Sequence, residues 1–332
     1  MSGGTLNISG AANTSTSSSV VMANSSNLVF TATDGRAFTG SLTGSAGTIT
    51  FNVAGDTSAT GGSSGVNFDF NNSGSFTGTV VVNSGLLGVR SNAVFGDTAN
   101  VIQLNAGSGQ SSGLVMAGAV NLPSSRAIQL TTAGGTGVFR TYVSSTFQIS
   151  GQISGAGNFF KTDGGTVVLD GTNTYTGTTT VGGGTLQIGS GGTTGSLSTS
   201  SAIINNSALV FNRSDLVTQG AAFASVISGS GKTLTLAGSG SGVLNLGGAN
   251  TYSGNTTLTA GTLALSGDGL IADSPTLTVA ANATFDVSAV TPGGYSLNPA
   301  GTLALNLNKA GPTLTQGRLA IGAHQSLSKQ HI

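Results

Sequence analysis

Two carboxylates, Asp163 and Asp170, bracket the alternating run Thr166-Val167-Val168-Leu169. A carboxyl pair held roughly 5 to 10 Å apart can act as acid and base, or acid and nucleophile, on a glycosidic bond. Such a site also needs basic or imidazole side chains beside the pair, and only Lys161 is near in sequence. The simpler reading makes both residues turn and strand-edge aspartates. Asp268 and Asp273, in SGDGLIADSP, lack the ligand spacing of a calcium loop and the glycine-rich nonapeptide of calcium-binding rolls. His324 and His331 have no cysteine or carboxylate beside them, so they do not make a zinc pattern. Tyr175 and Tyr252 could each stack on a sugar ring, since aromatics are enriched in recognition surfaces. The matching position in an upstream copy is Phe76, which has no hydroxyl and suggests a ring covering a core edge. The run GSGSG at 238–242 lacks the Lys-Ser/Thr of a phosphate loop, and sequons such as Asn255-Thr256-Thr257 are expected by chance in so polar a chain. These residues predict no catalytic, cofactor-binding or metal-binding site.

The elements that must position them are strands. Charged residues are 6% of the 332, all ten acids are Asp, and Gly is 55. An ordinary domain is about 25% charged. Strong helix formers other than Ala and Leu are scarce, while Thr48–Val53, Thr166–Leu169 and Thr276–Val279 alternate apolar and polar residues, the period of half-buried strands. The chain is read as all-β. A net charge of zero, thinly spread, offers no stripe for nucleic acid and no polybasic segment for an anionic membrane. No apolar run is long enough to span a bilayer as a helix. With no cysteine, disulfides and thiolate sites are excluded. The opening MSGGTLNISGAANT has neither the basic nor the apolar region of a leader, so a leader has been removed or the chain is a segment of a longer one.

Internal repeats organise the chain. GTNTYTGTTTVGGGTLQIG at 171–189 returns as GANTYSGNTTLTAGTLALS at 248–266, with ten of nineteen positions identical. Upstream of these, Ile153-Ser154-Gly155-Ala156-Gly157 matches Ile227-Ser228-Gly229-Ser230-Gly231, and the difference in offset places three extra residues around 239–242, in a tolerant surface turn. A weaker copy covers 66–89, with Phe76 for Tyr175 and Gly85 for Gly184. The first fifteen residues read like a partial copy. The order I-S-G-x-G, G-T-(V/L)-x-L, G-x-N-T-Y-x-G-x-T-T-(V/L), G-T-L-x-(I/L) resembles the passenger-associated transport repeat of bacterial autotransporters, best over 153–189 and 227–265.

That resemblance implies a right-handed, single-stranded parallel β-helix, secreted or displayed on a bacterial outer membrane. Repeats at long, unequal offsets suit a solenoid by themselves. The expected arrangement is one solenoid over 1–332, an elongated rod, with 301–332 as a C-terminal end or cap. With roughly 20 to 25 residues per coil there would be about 13 to 16 coils. Leu186, Ile188, Leu263 and Leu265 are expected in the core, Gly182-Gly183-Gly184 at a corner with positive φ, and Asn173 and Asn250 at corners in the left-handed region. The functional expectation is a non-catalytic stalk, fibre or adhesive scaffold without cofactors, able to associate with itself end to end. Surface glycans or host proteins are the alternative partners, and a polysaccharide lyase or hydrolase is the enzymatic alternative.

Overall fold

The computed structural model describes residues 3–10, 15–16, 19–23, 25–32, 36–53, 68–116, 118–223, 226–238, 240–281, 283–290, 295–296, 302–305 and 319–320. They fall into two compact units, Met1–Leu186 and Gln187–Ile332. Both are stacks of short parallel strands, and the one helix among the described residues is the 3-10 turn Asn92–Phe95.

In the first unit each turn visits up to three sheets. The first sheet stacks Thr5–Gly10, Asn27–Ala32, the later part of Leu42–Val53, the first part of Phe76–Val89, Val101–Leu104, Ile128–Leu130 and Ile153–Gly155. The second runs from Ser15–Thr16 through Arg36–Phe38, Phe68–Phe70, the end of Phe76–Val89, Ser111–Met116, Thr136–Thr141 and Asn158–Thr162 to Thr179–Val181. A third holds Val120–Leu122, Thr146–Ile149 and Thr166–Leu169. The second unit repeats the plan. Ile203–Asn205 lies beside Ile227–Ser228. Ala208–Phe211, Thr233–Ala237, the start of Asn255–Gly267, Thr276–Val279 and Thr302–Leu305 form a second stack. Leu216–Thr218, Val243–Leu246, the end of Asn255–Gly267 and Ala283–Val290 form a third.

The all-β parallel solenoid expected from the sequence is therefore observed. The coil count is corrected. Phe147 pairs with Val167, a step of 20 residues, but Ile102 pairs with Ile128, a step of 26, and Arg36 with Phe68, a step of 32. Longer corner loops use up chain, and the described residues make about 11 turns.

The core is built in columns along the stacking direction. Leu28, Ile49, Val80, Ile102, Ile128 and Ile153 are successive register partners, and all are fully buried. Beside them runs Phe30, Phe51, Val82, Leu104 and Leu130, in which the Phe30 and Phe51 rings stack at 5.1 Å. That is close to the spacing of paired strands, about 4.8 Å. Each such side chain contributes roughly 1.5 to 3 kcal/mol on burial. Leu186, Ile188, Leu263 and Leu265 occupy the core as expected. On the opposite face of the second sheet, Leu86, Val115, Val138 and Phe160 form a separate buried apolar cluster with Tyr142 packed against it.

Two glycines shared by the repeats are required by contact with the preceding turn. A Cβ on Gly177 would lie 2.3 Å from the carbonyl oxygen of Gly157, and one on Gly254 would lie 2.2 Å from that of Gly231. At the next corner Gly184 and Gly261 have φ of +59° and +80°, the region that favours glycine.

The corner asparagines work differently from the expectation. None is in the left-handed region, where among the described non-glycine residues only Ser25, Ser144 and Asp163 lie. Instead each reaches back one turn. The Oδ1 of Asn72, Asn100, Asn173 and Asn250 accepts from the backbone N–H of Leu42, Gly78, Ile153 and Ile227 at 2.8, 2.7, 2.9 and 2.8 Å. Their amide nitrogens donate to carbonyls near their own corner, as from Asn173 to Gly171 at 3.3 Å and from Asn250 to Gly248 at 3.0 Å. Thus each asparagine satisfies a buried donor that the strand ladder leaves behind. Replacing Asn173 by Leu orphans the Ile153 N–H. The expected outcome is a loss of about 1 to 3 kcal/mol in denaturant unfolding, with faster hydrogen exchange at the Ile153 amide.

Candidate functional site

Tyr175 and Tyr252 are not platforms. Both rings are fully buried, and Tyr175 stacks on Phe159 at 5.7 Å with 21° between planes. A sugar-stacking role for them is overturned, because the segments before strands Thr179–Val181 and Asn255–Gly267 turn both rings into the core and leave no face for a partner. The buried phenols are then hydrogen-bonded one helical-looking step ahead in sequence: Tyr175 Oη to Thr179 Oγ1 at 2.6 Å, and Tyr252 Oη to Thr256 Oγ1 at 2.7 Å. Thr256 Oγ1 continues to Ser274 Oγ at 2.9 Å. The upstream copy carries Phe76 and, four residues on, Val80, both buried. Tyr goes with Thr and Phe with Val, so the hydroxyls enter the core as a pair or not at all.

Asp163 and Asp170 do not converge. They flank opposite ends of strand Thr166–Leu169, which spans about 13 Å. Asp163, with φ of +63°, places Oδ2 3.3 Å from Nε of the buried Arg140. Asp170 Oδ2 accepts from Gln148 Nε2 at 3.3 Å. Neither is held beside the other as acid and base.

Lys161 also turns inward. Its Nζ donates to the carbonyls of Thr162, Asp163 and Gly183 at 2.7, 2.8 and 3.1 Å, where two successive turns bend. Burial pushes its pKa down to about 8, partly offset by the charge of Asp163. Carbonyl dipoles at a corner hold the ammonium in place of water.

Asp268 and Asp273 are exposed, and among the described residues no group of three or more His, Cys, Asp or Glu could hold a metal ion. His324 and His331 lie outside the described residues.

Sequence reasoning missed the buried arginines. Arg126 donates from Nε to Asn92 Oδ1 at 2.5 Å, from Nη1 to Asn100 O at 3.0 Å and from Nη2 to Gly96 O at 3.1 Å. Its guanidinium lies 5.4 Å from the Phe95 ring centre. Burial lowers its pKa to about 10, with Asp97 opposing the shift. It stitches together the corner that contains the helix Asn92–Phe95. Arg213 does similar work in the second unit, pairing with Asp215 at 2.6 Å and bonding the carbonyls of Thr193 and Gly195. No motif announces these residues. The only sequence signal is that cations are so few.

On the outside of the first unit, amides form a ladder. Asn83 Nδ2 donates to Asn52 Oδ1 and Asn105 Nδ2 to Asn83 Oδ1, each at 2.8 Å, and Thr131 Oγ1 bonds Asn105 Oδ1 at 2.5 Å. Gln103 Nε2 donates to Gln129 Oε1 at 3.0 Å in the neighbouring column.

Inward asparagines, tyrosine-threonine pairs and corner cations are the working parts of a parallel β-solenoid, in which each turn is fastened to the last. The model of the passenger-associated-transport-repeat family matches residues 159–188 and 239–265, less than a fifth of the chain. No curated protein and no solved structure matches the chain. In its repeat and its fold the chain is similar to a β-helix of autotransporter passengers.

A double-mutant cycle tests the buried hydroxyl pair. Tyr175→Phe and Thr179→Val are each expected to cost about 1 kcal/mol in unfolding, and the double variant clearly less than their sum. Additive losses would show that the two hydroxyls act independently. The Lys161 shift sets a pH dependence. Its folded pKa of about 8 lies below the ordinary 10.5. Below pH 8 both states are protonated and the full cost of burying the charge is present. Between pH 8 and 10.5 the unfolded chain holds the extra proton, so stability rises with pH. Relative to Lys161→Met, the wild type should gain up to roughly 3 kcal/mol across this window, measured by unfolding at successive pH values.

Proposed function

We propose that the chain is a non-catalytic structural segment of a secreted or surface-displayed bacterial protein, a stalk, fibre or adhesive scaffold that associates with itself through its strand edges. One observation carries the reading: the residues that distinguish the repeat, Asn173, Tyr175, Asn250 and Tyr252, are all buried and bonded within the chain. A motif repeated to bind something outside would leave them at the surface. The repeat match supports export, since it is to a transport repeat of passengers. The neutral, cysteine-free composition fits a surface exposed to oxidants without needing cross-links.

A second reading, an adhesin for neutral surface glycans or host proteins, is favoured by the amide ladder of Asn52, Asn83 and Asn105. An amide that gives one donor and one acceptor to the ladder keeps others for hydroxyl groups of a partner. On this reading the outward amides bind, and the tyrosines do not.

An antibody to the chain is expected to label intact cells of the source bacterium, and protease added outside should remove the label. Labelling only after lysis would sink the surface assignment. Incubated with polysaccharides, the protein should release no more reducing ends than buffer. Release that vanishes in Asp163→Asn or Asp170→Asn would restore the enzymatic reading.

A further inference from the structure

The outer face of the first sheet is a fixed array of neutral hydrogen-bonding groups. Thr50, Val81, Gln103 and Gln129 are register partners on four successive turns, and beside them runs the ladder of Asn52, Asn83, Asn105 and Thr131. All of these side chains are half-buried or exposed, as suits the solvent side of a strand. Turns repeat at about 4.8 Å along each column, and the columns stand roughly 7 Å apart.

Each rung keeps hydrogen bonds to spare. Asn83 gives one N–H to Asn52 and accepts one from Asn105, which leaves its Nδ2 a second N–H. Asn105 keeps one N–H as well, since its Oδ1 accepts from Thr131. Gln103 donates to Gln129 and keeps its Oε1, while Gln129 keeps its Nε2. The hydroxyls of Thr48, Thr50 and Thr79 on the same face bond no group among the described residues. Because each amide is held by its neighbours, these spare groups are set before a partner arrives, and little rotamer freedom is lost on binding.

What such a face recognises follows from its chemistry. None of the residues in these columns is charged, so an ionic polymer would lose hydration there without gaining a counter-charge. None is aromatic, so a sugar ring has no platform to stack on and must be held by its hydroxyl edge. A hydroxyl both donates and accepts, and therefore matches amides and threonines alike. One rung offers only a bond or two, too little to hold a free sugar against water, whereas a polymer running along the columns meets similar groups at every turn. Extended β-1,4-linked sugars repeat at a distance close to one rung.

We propose that this face binds a neutral linear polysaccharide lying along the stacking direction, over the columns that run from Thr50 and Asn52 to Gln129 and Thr131. The inference rests on the adhesin reading above and names its ligand class and its site.

Titration calorimetry of the full chain tests it, with β-1,4-linked gluco-, manno- and xylo-oligosaccharides from dimer to hexamer as probes and alginate oligomers as the anionic control. At least one neutral series should bind, more tightly with each added unit and unchanged by added salt, while monosaccharides and alginate do not. Asn83→Leu and Asn105→Leu each remove a spare N–H and loosen the ladder, and should weaken binding of the hexamer about tenfold. Circular dichroism checks their folding. Thr50→Lys breaks no bond of the ladder and places a charge on the face, so it should weaken binding as well, and it decides the matter if an asparagine variant does not fold. Binding by no neutral series, equal binding of alginate, affinity that does not grow with length, or variants that bind like the wild type would each overturn the proposal. In the last case the chain still binds glycan and the adhesin reading stands with another site. Adherence of chain-coated beads to host cells tests that reading separately, whatever the oligosaccharides do.

Discussion

In-register stacking of parallel turns is the constraint on which everything else depends. A single turn carries only a few inward side chains and cannot close a core around them. Its neighbours above and below supply the contacts, so Ile102 is buried because Val80 and Ile128 are its register partners. A slip of one residue would carry a whole column to the outside. The corner asparagines oppose such a slip, since Asn173 can satisfy the Ile153 N–H only when the two turns are correctly set.

The same constraint explains where polar groups are tolerated inside. A turning chain cannot pair all its carbonyls in the sheets, and the unpaired ones gather at corners. Lys161 and Arg126 lie where such carbonyls converge, so buried cations and buried carbonyls offset each other's lost hydration. Tyr175 with Thr179 and Tyr252 with Thr256 solve the problem for hydroxyls by mutual bonding. Basic side chains spent in this way do not reach the surface. The outside of the first sheet is left to threonine and amides, as in the column from Asn52 to Thr131.

Much of the fold could be read in the chain because repetition makes local patterns unambiguous. The alternation at Thr166–Leu169 and Thr276–Val279 became strands at those residues, and the turn around 239–242 separates Thr233–Ala237 from Val243–Leu246. The coil count was less legible, because the step between turns can lengthen without disturbing register, as from 20 residues at Phe147 and Val167 to 26 at Ile102 and Ile128. The asparagine role was misread for a related reason. A local turn and a bond to the preceding turn call for the same residue type, and only the neighbour's position distinguishes them.

By itself the sequence determined an all-β chain through period-two alternation; a motif returning at long, unequal offsets favours a solenoid over a sandwich or barrel, and the resemblance to the transport repeat implied parallel turns. It also determined that chemistry is thinly provided, with few charges and no cysteine. Tertiary structure alone decided which way the distinctive residues face. Tyr175 lies in the core because the segment before strand Thr179–Val181 turns it inward onto Phe159 of the preceding turn, and Asp163 and Asp170 stay apart because an extended strand lies between them. Orientation about a strand changes with every single residue, so it follows from the pairing of turns, which no single turn contains.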